Sequence, residues 1–318
     1  MSLLLLSLLL PLPSAHASLP RCLFVSSYHH GYEWSDGVER GVRKTLNGRC
    51  ELHQIDMDTK RRKDSTHIQS TVEQILGFMR EWQPDVIITA DDNAARYLVS
   101  EHLKEASTPV VFCGVNWSAS EYGFPYPNVT GMIEVAPIQD MLATAQELTG
   151  NRAFYIGADT FTERKNLQRV QTAAAALGLN LEHGLAADVA AWRTLYERAQ
   201  QADFVVMGSY SGILGWEDHA AQTEAHVRAS SRRLVVTNHE WMMPYAMLGM
   251  TKIPEEQGVW AAQTALTILS GVAPSSIPII ANRNWDLWLN DQLVGAAGID
   301  LPLSVTRRAK RFDPPVAR

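Results

Sequence analysis

Short apolar runs alternate with longer amphipathic stretches along most of the chain, and the two have different periods. Residues 23–26, 86–89, 110–113 and 129–133 are nearly pure apolar, and 51–57 alternates, as strands do. The run at 86–89 follows Pro84-Asp85 and is β-branched, the pattern of a strand buried on both faces. Between these runs, 35–46 carries Val38, Val42 and Leu46 at helical spacing. Residues 64–82 carry Ile68, Val72, Ile75, Leu76 and Met79 on one stripe, and 94–105 is helical again. The second half repeats the alternation, with strands at 153–156, 181–184, 204–207 and 234–237. Its helices are expected at 138–148, 163–177, 189–200 and 217–230. This order predicts an α/β protein with two doubly wound, Rossmann-like lobes, each on a parallel sheet. A chain of 318 residues also exceeds what one core usually organises. The two halves share no sequence repeat.

In doubly wound sheets the ligand lies beyond the carboxyl ends of the strands, so the strand-end loops are the candidate site. They supply Ser27, Tyr28 and His29, then Asp91, Asp92 and Asn93, then Asn116 and Trp117. The second half adds Asp159, Thr160, Ser209 and Tyr210, and then Asn238, His239, Glu240 and Trp241. Ser35 or Asp36 is expected to cap the first helix, and Asp92 or Asn93 the third. Tyr28, Trp34, Trp117, Tyr210, Trp216, Trp241 and Tyr245 fall in or near these loops, where aromatic faces stack on planar ligands or hold amines. Trp82, Trp192 and Trp260 fall on helices and are expected to pack. The loops carry Asp91, Asp92, Glu134, Asp159 and Glu240 but no arginine. That balance favours a cationic or neutral polar ligand over an anion, which would need helix N-termini and backbone amides.

Composition narrows the class. With 46% hydrophobic and 19% charged residues the chain is a globular folder, and its net charge of −6 is wrong for nucleic acid. The basic run at 307–311 reads as a solvated, frayed end. Residues 1–17 read as a secretory signal cleaved after about Ala17, although the segment before its Leu-rich core has no Lys or Arg. No other stretch could span a bilayer, so a periplasmic protein without stable membrane insertion is expected. Cys22 and Cys50 each stand just ahead of a strand. If those strands are parallel neighbours, the two thiols share one end of the sheet, where a disulfide or two free thiols are both open. Cys113 sits in an apolar strand and is expected to be a buried free thiol.

Other chemistries fit less well. A metal site could draw on His29, His30, His239, Glu240, Asp91 and Asp92, but no spacing typical of metal ligands occurs. A hydrolase would need a nucleophile, and in Gly208-Ser209-Tyr210-Ser211-Gly212 tyrosine occupies that position. A dinucleotide site lacks its glycine-rich first turn. Neither a cofactor nor a catalytic role is expected.

The loops also carry a resemblance: "SSYHHGYEW", "PDVIITADDNAA", "PVVFCGVN" and "NVTGMIE" stand in that order. They are followed by "KIPEEQGVWAAQTALTILSGVAPSSIPI" and "LWLNDQLVGAAGIDLP". The chain thereby resembles the substrate-binding proteins of ABC transporters, in the tryptophan-binding-type branch of the type I periplasmic binding proteins. Relatives of this branch also serve as sensory domains of histidine kinases. The resemblance covers roughly 22–303 and implies a monomer whose two hinged lobes clamp a small molecule. The partner would be an ABC permease or, alternatively, a membrane sensor kinase. It implies an N-terminal lobe of 18–117 with about 252–273. The C-terminal lobe would hold 118–251 with about 274–303, before a basic tail at 304–318. The departures concern the ligand: "TNHEWMMPYAM" is bulky, and Glu134 stands where relatives carry smaller or neutral residues.

Overall fold

The computed structural model describes residues 18–313; the expected signal segment and the last five residues lie outside them. The chain divides into two compact units, Met1–Met132 with Gly258–Ile279, and Ile133–Gln257 with Ile280–Arg318. The first unit holds β1 (Arg21–Ser26), α1 (Glu33–Leu46), β2 (Glu51–Asp56), α2 (Ser65–Trp82) and β3 (Val86–Ala90). There follow α3 (Asp91–Ala94), which runs on as a π-helix over Ala95–Leu103, then β4 (Val110–Asn116) and β5 (Val129–Glu134), whose last two residues fall in the second unit. The second unit holds α4 (Ile138–Thr149), β6 (Arg152–Ala158), α5 (Phe161–Ala176), β7 (Asn180–Ala186), α6 (Val189–Ala199) and β8 (Phe204–Met207). It continues with α7 (Trp216–Ser230), β9 (Leu234–Thr237) and β10 (Leu248–Lys252). Helix α8 (Pro254–Leu269) carries the chain back to the first unit, and β11 (Ile280–Ala281), β12 (Trp285–Leu289) and β13 (Lys310–Arg311) complete the strands.

Both units use one topology. The first sheet runs β11-β5-β4-β3-β1-β2 and the second β13-β12-β10-β9-β8-β6-β7. In each, the first strand is flanked by the second and third, so the winding direction reverses between β1 and β3 and again between β6 and β8. Such a switch point parts the following loops and leaves a crevice at the strand ends. The β12 strand breaks the parallel rule by running antiparallel to β10.

The apolar runs make these sheets because both faces are covered. Every residue of β3, β8 and β9 is buried. Phe24, Val86, Ile88 and Val111 pack with Val38, Val42 and Leu46 of α1 and with Ala261, Ala262 and Ala265 of α8. Small residues bring α8 close to α1: a Cβ on Gly258 would lie 2.0 Å from the Val38 carbonyl oxygen. Cys22 and Cys50 form a disulfide with Cα atoms 5.9 Å apart, as neighbouring parallel strands permit, and Cys113 is a buried free thiol.

Several expectations need correction. The compact units divide first after Met132, where the sequence reading put a lobe boundary at 117, and β5 adds to the first sheet beside β4. The later divisions follow Gln257 and Ile279, and the Thr130 hydroxyl holds the end of that return segment by donating to the Ile277 carbonyl at 2.8 Å. The basic run at 307–311 is no frayed end: Lys310 and Arg311 form β13, and they pair with Asp286 at 2.5 Å and Asp291 at 3.0 Å. Helix α1 begins at Glu33 and has no side-chain cap. Ser35 is buried there, and Asp36 reaches back to accept from the Gly31 amide at 2.9 Å. Helix α3 begins at Asp91, so neither Asp92 nor Asn93 caps it. Among the described residues no helix is long and apolar enough to cross a membrane.

Candidate functional site

The first unit gathers its predicted residues at the β1/β3 switch point. Ser27 is the staple of that point rather than an open contact. Buried, it donates through Oγ to the Ala90 carbonyl at 2.6 Å and accepts from the Ala94 amide at 2.8 Å. Its own carbonyl accepts from the Thr59 hydroxyl at 2.5 Å, and Thr59 in turn accepts from the Asn93 amide at 2.8 Å. The loops after β1, β2 and β3 are thus tied by one chain of hydrogen bonds.

Around this staple the backbone is held in an uncommon conformation. Asp58, Asp91 and Trp117 have φ of +53°, +71° and +63°, and each follows the carboxyl end of a different strand. Left-handed non-glycine residues persist only where surrounding contacts over-determine them, and they concentrate at ligand clamps. Asp91 is buried and accepts from the Trp34 indole N–H at 2.9 Å. Asp92 accepts from the Asn116 side-chain amide at 2.6 Å and from the Tyr122 hydroxyl at 2.7 Å. It therefore holds the β4 loop in place.

Tyr28 is half-buried among these acids. Burial, and then the negative charges of Asp91 and Asp92, push its hydroxyl well above the usual tyrosine range, so it stays a neutral donor. His29 lies with Nδ1 3.5 Å from Asp58. The side chain of Asp58 is claimed by Arg61, which donates to both carboxylate oxygens at 2.7 and 2.9 Å and holds that carboxyl below its ordinary value. The loop after β2 was missing from the sequence-based site. It supplies Asp58, Thr59, Lys60 and Arg61, so this end of the unit has cations after all. The signal was present in Asp58-Thr59-Lys60-Arg61, but β2 is half-exposed and its exit is not marked by a clean apolar run.

In the second unit several predicted residues have partners within their own loops. Thr160 caps α5, accepting from the Glu163 amide at 3.2 Å, and Asp159 pairs with Arg164. The Ser209 hydroxyl accepts from the Ser211 amide at 3.0 Å. Glu134, counted among the site acids, is buried and paired with Lys252. Tyr210 stacks on the buried Trp216 with ring centroids 4.8 Å apart and planes within 7°. Tyr245 packs edge-on against the same indole. Asn238 and His239 are half-buried after β9, while Glu240 and Trp241 are exposed. Burial pushes the His239 imidazole down to about 4, and Trp241, 53% exposed, stacks on it at 4.5 Å. At neutral pH this pair is an uncharged aromatic surface.

Sequence reasoning missed Glu163, which lies at the β6/β8 switch. It is buried and accepts from the Tyr155 hydroxyl, from the Ser209 amide at 2.8 Å and from Asn166 at 3.1 Å. Burial raises its carboxyl pKa, and those three donors oppose the rise. Glycine makes room for it: a Cβ on Gly208 would fall 1.9 Å from Oε1. A groove of about 470 Å³ in this unit is lined by residues of α4, β10, β12 and the C-terminal segment, and by none of the predicted site residues.

No family model and no curated protein matches the chain. Among solved structures it is similar to a ligand-free, open substrate-binding protein with adhesive properties from Clostridium difficile. That likeness has a TM-score of 0.72 and 11% identity over 92% of this chain and 99% of the other. It is also similar to an ABC domain in complex with L-Trp from Streptococcus pneumonia, with TM-score 0.61 and 14% identity over 92% and 99%. A LacI family transcriptional regulator from Bifidobacterium animalis subsp. lactis matches with TM-score 0.54 and 13% identity over 85% and 96%. At these identities the likeness is one of fold, and the chain has the α/β architecture of the type I periplasmic binding proteins.

Proposed function

We propose that this chain is an extracytoplasmic solute-binding protein that captures a small aromatic or amine-bearing molecule and delivers it to an ABC permease. The observation that carries the reading is the left-handed triple of Asp58, Asp91 and Trp117 at the ends of β2, β3 and β4. Tertiary contacts hold this backbone in place where a doubly wound sheet presents its ligand. Aromatic Tyr28 and Trp117 belong to these strand-end loops and suit a planar ligand, while Thr59 and Asp92 hold the amides of Asn93 and Asn116. A binding role is favoured over a hydrolytic one because the hydroxyls of Ser27, Thr160 and Ser209 are engaged in local structure. Among the described residues none is paired with a histidine.

Mass spectrometry of the molecule released from purified, folded protein tests this reading, together with a thermal-shift panel of amines, amino acids and aromatic bases. A ligand of the folded state raises the melting temperature by mass action. Retention of an organic molecule whose re-addition restores the shift is the expected result. No retained molecule and no shift across the panel would overturn the reading.

A further inference from the structure

The loop after β2 brings a cation beside two aromatic residues of the segment after β1. The Lys60 ammonium lies 3.9 Å from the Tyr32 ring centroid and 4.9 Å from that of Tyr28, and donates to the Tyr32 hydroxyl at 2.6 Å. The two rings stand edge to face, with centroids 5.3 Å apart and planes at 86°, so together they form a right-angled corner. Each ring is fixed by backbone that does not depend on Lys60. Tyr28 follows the end of β1, its carbonyl accepting from the Asp58 amide at 3.0 Å, and Tyr32 is the residue from which α1 starts. Lys60 itself is exposed and, among the described residues, has no carboxylate partner, whereas its neighbour Arg61 is clamped to Asp58. Its positive charge is met by the Tyr32 hydroxyl and the two rings.

We propose that the Tyr28–Tyr32 corner is a seat for the alkylammonium group of a ligand, and that Lys60 is a tethered stand-in which such a ligand displaces. This rests on the solute-binding reading and names its ligand class: a quaternary or highly alkylated amine. Two physical differences let a free ligand win. A primary ammonium is strongly hydrated and loses that water against the rings, while a methylated ammonium has little to lose and is what aromatic corners bind best. Lys60 must also freeze a flexible stem of four carbons to reach the seat. The carboxylates of Asp91 and Asp92 act on Tyr28, which favours a cation of either origin beside its ring. Lys60 then sets selectivity by making every weaker cation compete with a permanent internal one.

The experiment uses the full chain and tetramethylammonium as the probe, with affinity read by calorimetry. Lys60→Met keeps the stem and removes the charge, and is expected to bind the probe about tenfold more tightly than the native protein. Lys60→Gln, which should show the same gain, guards against a folding defect in the first variant. Adding Tyr32→Leu to Lys60→Met should abolish the gain. An unchanged or weaker affinity in both lysine variants, each with a native-like melting temperature, would overturn the seat. So would a gain that survives loss of the Tyr32 ring. Rebinding by native protein of the molecule it releases bears only on the solute-binding reading, so the two can fail separately.

Discussion

The indole N–H of Trp34 donates to Oδ1 of Asp91 at 2.9 Å, joining the first turn of α1 to the residue that follows β3 and opens α3. The same oxygen is approached from the other side by the backbone of Gly114, where an added Cβ would lie 2.9 Å away. Gly114 itself has φ of +70°. Replacing it with alanine therefore sets a left-handed strain of about 1–2 kcal/mol beside a steric push on a buried carboxylate. Gly114→Ala should lower the urea midpoint and weaken ligand binding together. A variant as stable as the native protein would show that this carboxylate has room to move.

On the proposed solute-binding reading, Tyr28 should report on binding more than on folding, because its ring is half-buried in the loop after β1. Tyr28→Ala should weaken binding of the released ligand by about tenfold or more, the loss typical of an aromatic anchor. Its melting temperature should stay within a few degrees of native. Tyr28→Phe separates ring from hydroxyl: if the ring carries the contact, the phenylalanine variant keeps most of the affinity.

Glu163 makes stability fall with rising pH. Its carboxyl is raised in the folded state, so folding takes up a proton that the unfolded chain has released. The contribution is fully present below the unfolded value of ~4.3 and is lost as pH climbs through the higher folded one. Glu163→Gln keeps an acceptor for the Ser209 amide but cannot ionise. The difference in unfolding free energy between variant and native protein should shift toward the variant from pH 4 to pH 8. A difference that is constant with pH would contradict this assignment.

His239 acts in the opposite direction. Its folded pKa of about 4 lies below the ordinary imidazole value of 6.5, so the unfolded chain binds the proton first. Its contribution is complete above pH 6.5 and declines as pH falls toward 4. His239→Gln should flatten the acid limb of a plot of melting temperature against pH. An unaltered acid limb would place the titrating group elsewhere.

The Cys22–Cys50 bridge closes a loop with a sequence separation of 28. By chain entropy it should contribute about 3–4 kcal/mol relative to the reduced protein. Chemical denaturation with and without reductant measures this, using Cys22→Ala/Cys50→Ala to exclude mixed disulfides. Because Cys22 packs in the core of the first unit, the alanine pair should lose somewhat more than reduction alone.

Much of the fold was legible because parallel strands buried on both faces leave an unmistakable apolar run. β3 and β8 could be read directly from Val86-Ile87-Ile88 and Phe204-Val205-Val206-Met207. The strands from β10 onward were not read. β12 alternates Trp285, Asp286, Leu287 and Trp288 at half-buried positions, and β13 is two charged residues whose partners are distant in sequence. The loops were found by one topological rule, which identifies where side chains lie but not which way they turn. Ser27 and Thr160 were placed in the right loops and assigned an open role, yet both face inward to satisfy backbone groups.

The order of apolar runs and amphipathic stretches by itself determined a doubly wound α/β protein and located its strand-end loops. The reason is that strand burial and helix amphipathicity are local in period and are written along the chain. Only the tertiary structure decided which polar groups remained available. Asp92 was taken up by Asn116 and Tyr122, Glu134 by Lys252, and Glu163 by Tyr155, while Lys60 came to rest on Tyr28 and Tyr32. A hydrogen bond or ring contact joins atoms, and the folding that brings loops after β1, β2 and β3 to one point leaves no mark in the spacing of the residues it pairs.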